Sequence, residues 1–271
     1  MLSYSPWLIW LGLLTGAYGT LIGIGGGVIL VPALLLLYPG ATPDTITAIS
    51  LAAVFLNSLS GSIAYFRQRR IDYRSGLLFA MATVPGTIIG AWATHFLRRD
   101  VFSFIFGIML ILLSLFLQLR PREKTKMASS SPDGTVCTVV DARGETFVYS
   151  YNRPLGIALS FGVGFLAGLA GIGGGVILVP VLVYLLCFPT HIATATSHFT
   201  LTFSALAGSL THAVTGSYAY NWQVLPYLAI GIIPGAQLGA WLSRKLQGIT
   251  IIRFLALALA LMGVRLLILA F

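Results

Sequence analysis

The chain has 271 residues, 57% of them hydrophobic and only 8% charged, with a mean hydropathy of +0.93 and a formal net charge of +9. A soluble domain carries about 25% charged residues, so this composition excludes a water-exposed globule and reads as a polytopic membrane protein. Lys and Arg are confined to short loops between apolar stretches, which fits positive-inside topology and not nucleic-acid binding.

The first apolar stretch, residues 7–38, is too long for one straight helix and too short for two full spans at about 1.5 Å per residue. No Lys or Arg precedes it and no cleavage-like site ends it, so it is expected to be mature protein and not a secretory signal. A hairpin folding at Gly25-Gly26-Gly27, with its tip near mid-membrane, fits the length. Spanning helices are then expected near 46–66, 75–96 and 101–119, and in the second part near 154–187, 192–213, 224–243 and 250–271.

The chain repeats itself. Ten consecutive residues from Gly23, Gly-Ile-Gly-Gly-Gly-Val-Ile-Leu-Val-Pro, recur from Gly171. Ala48-Ile-Ser50 answers Ala195-Thr-Ser197, Gly61 answers Gly208, and the Pro85 to Trp92 segment answers Pro234 to Trp241. The expected organisation is a first membrane repeat over 1–119, a cytoplasmic linker over 120–153 and a second membrane repeat over 154–271. The linker opens on basic and Ser-rich segments, then alternates through 135–140 and 146–151, which predicts a small β-hairpin turning at 141–144. Such a hairpin can gate, bind a regulator or serve as a passive connection.

Charge orients the halves. Arg67-Gln-Arg-Arg-Ile-Asp-Tyr-Arg74 is strongly basic, whereas its counterpart 215–223 has no charge. Inserting the halves in opposite senses puts Arg244, Lys245 and Arg253 on the cytoplasmic side with the linker and leaves Arg98 and Arg99 outside. The expected fold class is all-α, with two homologous halves as inverted repeats and Gly-broken, re-entrant or discontinuous helices. Repeats of this kind place a substrate site between them in many transporters; a scaffold or symmetric pore is the alternative.

Three glycines in a row mark a break, a bend or a close backbone approach, because each costs about 1 kcal/mol in a helix relative to Ala. Broken helices at membrane depth need protein or water around their free N–H and C=O groups, and their N-termini favour anions. Gly25, Gly26, Gly27 and Gly173, Gly174, Gly175 are expected at two such breaks, while Gly16, Gly19, Gly90, Gly164, Gly168 and Gly239 are expected to serve close helix packing.

All seven acidic residues fall in expected loops or the linker, which argues against a metal or sodium carrier and is compatible with an anion. Polar groups expected within spans include Ser50, Asn57, Ser197, His198 and His212. Hydroxyl, amide and imidazole groups hydrogen-bond oxyanions, and His198 could also take a proton in transit; each histidine is equally a packing residue. Cys137 and Cys187 lie in different contexts and are expected to be free thiols. No catalytic or metal-binding spacing is present, so neither an enzyme nor a metal or cofactor is expected.

The paired G-x-G-G-G-x-x-x-x-P runs, each followed by an A-x-S helix and a later P-G-x-x-x-G-A-W helix, resemble the sulfite exporter TauE/SafE family. The resemblance covers both halves but not the linker. It implies a bacterial or archaeal cytoplasmic-membrane permease for sulfite, organosulfonates or a related sulfur anion. It implies substrate contacts at Gly25 to Gly27 and Gly173 to Gly175, with Ser50 and Ser197 on the following helices. The partners expected are a small anion, the lipid bilayer and a second copy of the chain. A passive anion channel, or a scaffold or sensor acting through the linker, remains the alternative.

Overall fold

The computed structural model describes residues 6–119, 135–217 and 223–246, with isolated positions between 253 and 264. The first part of the linker and most of the expected last span therefore lie outside the described residues. What is described is mostly helical, and four helices are long and apolar enough to cross a membrane: Pro43–Arg67, Tyr73–Thr94, Arg153–Ala170 and Val224–Ser243.

Local chemistry sets the helix ends. In the first half, α1 (Trp7–Ile22) stops at Gly23, whose φ of +84° is left-handed, and α2 (Gly27–Leu37) starts directly after Gly26. The long α3 (Pro43–Arg67) is capped by Thr42, whose hydroxyl accepts from Thr45 N–H, and has Pro43 at its first position, where the missing N–H costs nothing. The next helix, α4 (Tyr73–Thr94), is capped by Asp72 through Ser75 N–H, and α5 (Arg99–Leu119) closes the half.

The second half echoes the first. After the hairpin of β1 (Thr135–Val140) and β2 (Thr146–Tyr151), α6 (Arg153–Ala170) is capped by Asn152 and ends at left-handed Gly171. Then come α7 (Gly175–Pro180), a π-helical turn (Val181–Leu185), α8 (Thr190–Val214) and α9 (Val224–Ser243). The expected single stretch 154–187 is thus two helices, broken at its glycines just as 7–38 is. Leu14, Met81, Leu112, Trp92 and Ile230 stay exposed on the outer surface, as lipid-facing positions require.

The halves interlock. On one flank α1 packs along α9, and on the other α4 packs along α6, while α3 and α8 cross the centre together. Both flanking seams are glycine seams. A Cβ on Gly16 would come within 2.6 Å of Ile232 O, and Gly86, Gly90, Gly164 and Gly168 sit equally close to the facing backbone of the α4–α6 pair. Small residues let membrane helices approach in this way.

Helices α3 and α8 run antiparallel. Near the end of α8, His212 contacts Asp44 in the first turn of α3, whereas Thr196 near the start of α8 accepts from the N–H of Asp72, just beyond the end of α3.

The hairpin pairs in the register Thr135↔Tyr151 to Val140↔Thr146, and its turn is held by Asp141 Oδ1 accepting from the N–H groups of Arg143 and Glu145. It is not a loose connection. Arg70 Nη2 lies 3.3 Å from Asp141 Oδ2, Ala142 N–H donates to Gln68 O, and Tyr149 and Tyr151 stack around Phe188 with ring centroids at 4.4 and 5.2 Å.

Candidate functional site

The two glycine breaks meet at the centre of the molecule. Gly25, Gly26, Gly173 and Gly174 have φ of +79°, +80°, +76° and +93°, a region open to glycine and strained for other residues. Gly27 and Gly175 are the first residues of α2 and α7.

A Cβ on Gly25 would lie 2.6 Å from Leu201 Cδ2 and 2.8 Å from Val54 Cγ1, and one on Gly173 would meet the same two side chains. Across the junction, a Cβ on Gly27 would lie 2.7 Å from Ile172 Cα, and one on Gly175 would lie 2.7 Å from Ile24 Cα. These glycines therefore serve both purposes considered for them: they break the helices and let the broken segments touch backbone to backbone.

The polar candidates divide around this junction. Asn57, Thr20 and His198 form one buried knot: Thr20 Oγ1 donates to Asn57 Oδ1 at 2.9 Å and lies 3.2 Å from His198 Nε2. Since Thr20 spends its proton on Asn57, it receives one from His198 Nε2. The imidazole also packs edge-on to Tyr65, whose hydroxyl donates to Thr20 O at 2.6 Å, and lies directly over Gly61. Asn57 Nδ2 lies 3.6 Å from where a Gly26 Cβ would stand.

Ser197 Oγ donates to Gly23 O at 3.3 Å, and Ser204 Oγ donates to Gly173 O at 3.2 Å, so α8 holds both breaks. Ser50 lies about 10 Å from Asn57 along α3, seven residues earlier, and does not join the knot. Ser50, Asn57, Ser197 and His198 are all fully or almost fully buried. Among the described residues, Ser50 Oγ, Asn57 Nδ2 and His198 Nδ1 make no hydrogen bond. A buried N–H or O–H without a partner costs about 1–3 kcal/mol, so the Asn57 amide and the Ser50 hydroxyl are places where a ligand's oxygen would be welcome, whereas His198 Nδ1, with the ring hydrogen on Nε2, offers an acceptor.

Thr20, Tyr65 and Gly61 were not among the sequence candidates. The repeat offered a partial signal, because the offset carrying Ser50 to Ser197 also carries Tyr65 to His212.

A second polar centre lies at one end of the bundle. Asp44, expected in a loop, instead occupies the first turn of α3 with 9% exposure. His212 Nδ1 lies 2.9 Å from its Oδ1 and His95 Nδ1 lies 3.3 Å from its Oδ2. A cavity of about 550 Å³ opens over this cluster, lined by Tyr38, Thr42, Asp44, His95, Thr215 and Ser217 among others. Among the described residues, no His, Cys, Asp and Glu cluster has the geometry to hold a metal ion.

Comparison with known proteins agrees with these features. The family described as Sulfite exporter TauE/SafE matches residues 8–266. The chain is 38% identical over 265 residues to the probable membrane transporter protein YunE of Bacillus subtilis, covering 96% of both chains. It is 30% identical over 247 residues to a probable membrane transporter protein of Haemophilus influenzae, covering 88% of this chain and 85% of the relative. No solved structure matches.

Proposed function

Because the chain belongs to the sulfite exporter TauE/SafE family and is a membrane transporter and not an enzyme, we propose that it carries a small sulfur oxyanion or organosulfonate across the cytoplasmic membrane by alternating access. The observation that carries this reading is the unfilled donor Asn57 Nδ2, buried beside the first glycine break, with the unpartnered Ser50 hydroxyl about two turns away along α3. Ser197 and His198 join them from α8, and the breaks at Gly25 to Gly27 and Gly173 to Gly175 bring main chain where side chains cannot fit.

The halves act as inverted repeats. The antiparallel contact of α3 with α8, each the counterpart of the other in sequence, supports that arrangement. The α1–α2 and α6–α7 pairs act as re-entrant hairpins, since Leu37 and Tyr38 at the end of α2 return to the cavity beside the start of α3. The basic loop at Arg67 to Arg74 and the hairpin face the cytoplasm, which puts the Asp44 cavity on the outer side. This bundle end, rich in Arg and Lys, draws anions to the cytoplasmic mouth.

Binding tests the reading. Thermal shift and then calorimetry on purified protein with sulfite, thiosulfate, sulfoacetate, sulfate and chloride should show selective binding of a sulfur anion, lost in Asn57→Leu. Binding of none of the five would remove the substrate class, and non-saturable flux in vesicles would replace the carrier with a channel.

A further inference from the structure

We propose that Asp44 and His212 form a proton-binding dyad at the mouth of the outer cavity, and that proton movement through it drives the anion in the same direction. The proposal rests on the transporter reading above and adds the energy source.

The geometry assigns the protons. Thr47 Oγ1 donates to Asp44 O at 3.0 Å, so it can only accept from His212 Nε2, which lies 3.3 Å away. Nε2 therefore carries a hydrogen, and the imidazole's other nitrogen, Nδ1, faces Asp44 Oδ1 at 2.9 Å. One further proton fits on Nδ1, where Ser217 Oγ accepts it at 3.4 Å and the Asp44 carboxylate lies alongside in an ion-pair contact. With it the dyad is neutral overall; without it the dyad carries one negative charge.

The dyad also has a route to water. His95, with its side chain half exposed, touches the second carboxylate oxygen of Asp44, whereas the His212 side chain is fully buried. Asp44 thus bridges a solvent-facing imidazole to an interior one, the sequence of groups expected of an intramembrane proton relay. Thr47 continues the line one turn deeper, toward the unpartnered hydroxyl of Ser50.

The groups facing Asp44 are His95 from the end of α4, His212 and the Ser217 hydroxyl from the end of α8, and Tyr38 across the cavity from the end of α2. Arg98 at the neighbouring helix start is already paired with Asp100 at 3.0 Å. Among the described residues no other charge contact compensates the carboxylate, so the unloaded dyad repels an arriving anion and the loaded one does not. Proton and anion are thereby required together. The corresponding position in the other half, Tyr65, contacts Thr20 and His198 and not a carboxylate, so among the described residues the other half does not repeat the device.

The test uses the full chain in proteoliposomes, with radiolabelled methanesulfonate as a fully ionised probe and the membrane potential clamped at zero. One coupled proton accumulates the anion about tenfold for each pH unit across the membrane. Wild type should accumulate it toward the alkaline side, Asp44→Glu should do the same, and Asp44→Asn should equilibrate it without accumulation. Asp44→Asn or His212→Gln accumulating like wild type would overturn the coupling.

A wild type that moves none of the sulfur anions would overturn the transport reading itself. The 15N signals of His212, followed through a pH titration without any anion, read the dyad separately. They should show Nδ1 gaining and losing a proton in wild type, with a displaced midpoint in Asp44→Asn. An unmoved midpoint would overturn the dyad, and the same measurement applies if Asp44→Asn reconstitutes poorly.

Discussion

The hydroxyl of Tyr149 donates to Asp72 Oδ2 at 2.7 Å, and through that one carboxylate the hairpin is fastened to the start of α4. Ser75 Oγ donates to the same oxygen at 2.5 Å, Tyr151 donates to Ser75 Oγ at 2.8 Å, and the main chain of Asp72 reaches Thr196 on α8. Hydrogen bonds to charged groups contribute about 1.5–3 kcal/mol. Tyr149→Phe should destabilise the protein by about that much, seen as a lower melting temperature in detergent.

Cys137 reports on the same contact. Burial pushes its thiol up, and the neighbouring Asp72 charge pushes it further, so little thiolate is present at neutral pH. Cys187 is exposed. A maleimide should modify Cys187 first and Cys137 slowly, and Tyr149→Phe should speed the Cys137 reaction several-fold. Equal rates at the two thiols in wild type would contradict the docked hairpin.

The Arg70–Asp141 pair should govern acid sensitivity at this end. Burial pushes the Asp141 carboxyl up, but the N–H groups of Arg143 and Glu145 and the Arg70 guanidinium outweigh it and hold it below the usual carboxylate range. A carboxyl depressed in the folded state contributes stability that is complete above its unfolded value near 3.8 and is lost as pH falls through the folded one. Asp141→Asn should therefore lower the melting temperature from neutral pH down to about pH 4, with the deficit closing only in stronger acid. A deficit that closes near pH 6 would assign the effect to another group.

The two central breaks should differ in tolerance. A Cβ on Gly26 would stand 2.6 Å from the Thr15 carbonyl oxygen, which is main chain, whereas one on Gly174 would stand 3.1 Å from the Ala167 methyl. Both substitutions carry the left-handed cost of about 1–2 kcal/mol, so Gly26→Ala should be the more damaging in thermal denaturation. Gly26→Leu and Gly174→Leu should each abolish transport while leaving some protein in the membrane. Unchanged uptake in either would remove the proposed site.

His198 links the knot to α8, and its removal should change both binding and pH response. His198→Ala deletes the donor to Thr20 and opens space over Gly61. The anion flux should fall and its pH profile should change shape. A profile that only scales down would reduce His198 to packing.

Much of this was legible in the sequence because glycine and repetition leave strong marks. The ten-residue repeat located both helix breaks, and alternation located the hairpin and its Asp141 turn within a residue. Asp44 was misplaced because Pro43 and the flanking Gly40 to Thr42 look like loop, yet Thr42 caps a helix that begins at Pro43. Its pairing with His212 joins residues far apart in the chain, and no local pattern encodes that. Thr20 was passed over for a similar reason: its neighbours explain it as a small residue in a crowded helix, and its role depends on two side chains from α3 and α8.

The glycine seams bear on what can move. The α1 helix of the first half is locked main chain to main chain against α9 of the second, and α4 against α6. A rocking motion that separated residues 1–119 from 154–271 would have to tear both seams apart. The rigid arms of this molecule are therefore drawn from both halves at once, and the gene's duplicated boundary is not the hinge. Severing the chain between the halves should still yield an assembled transporter when the pieces are made together, and neither piece should stand alone.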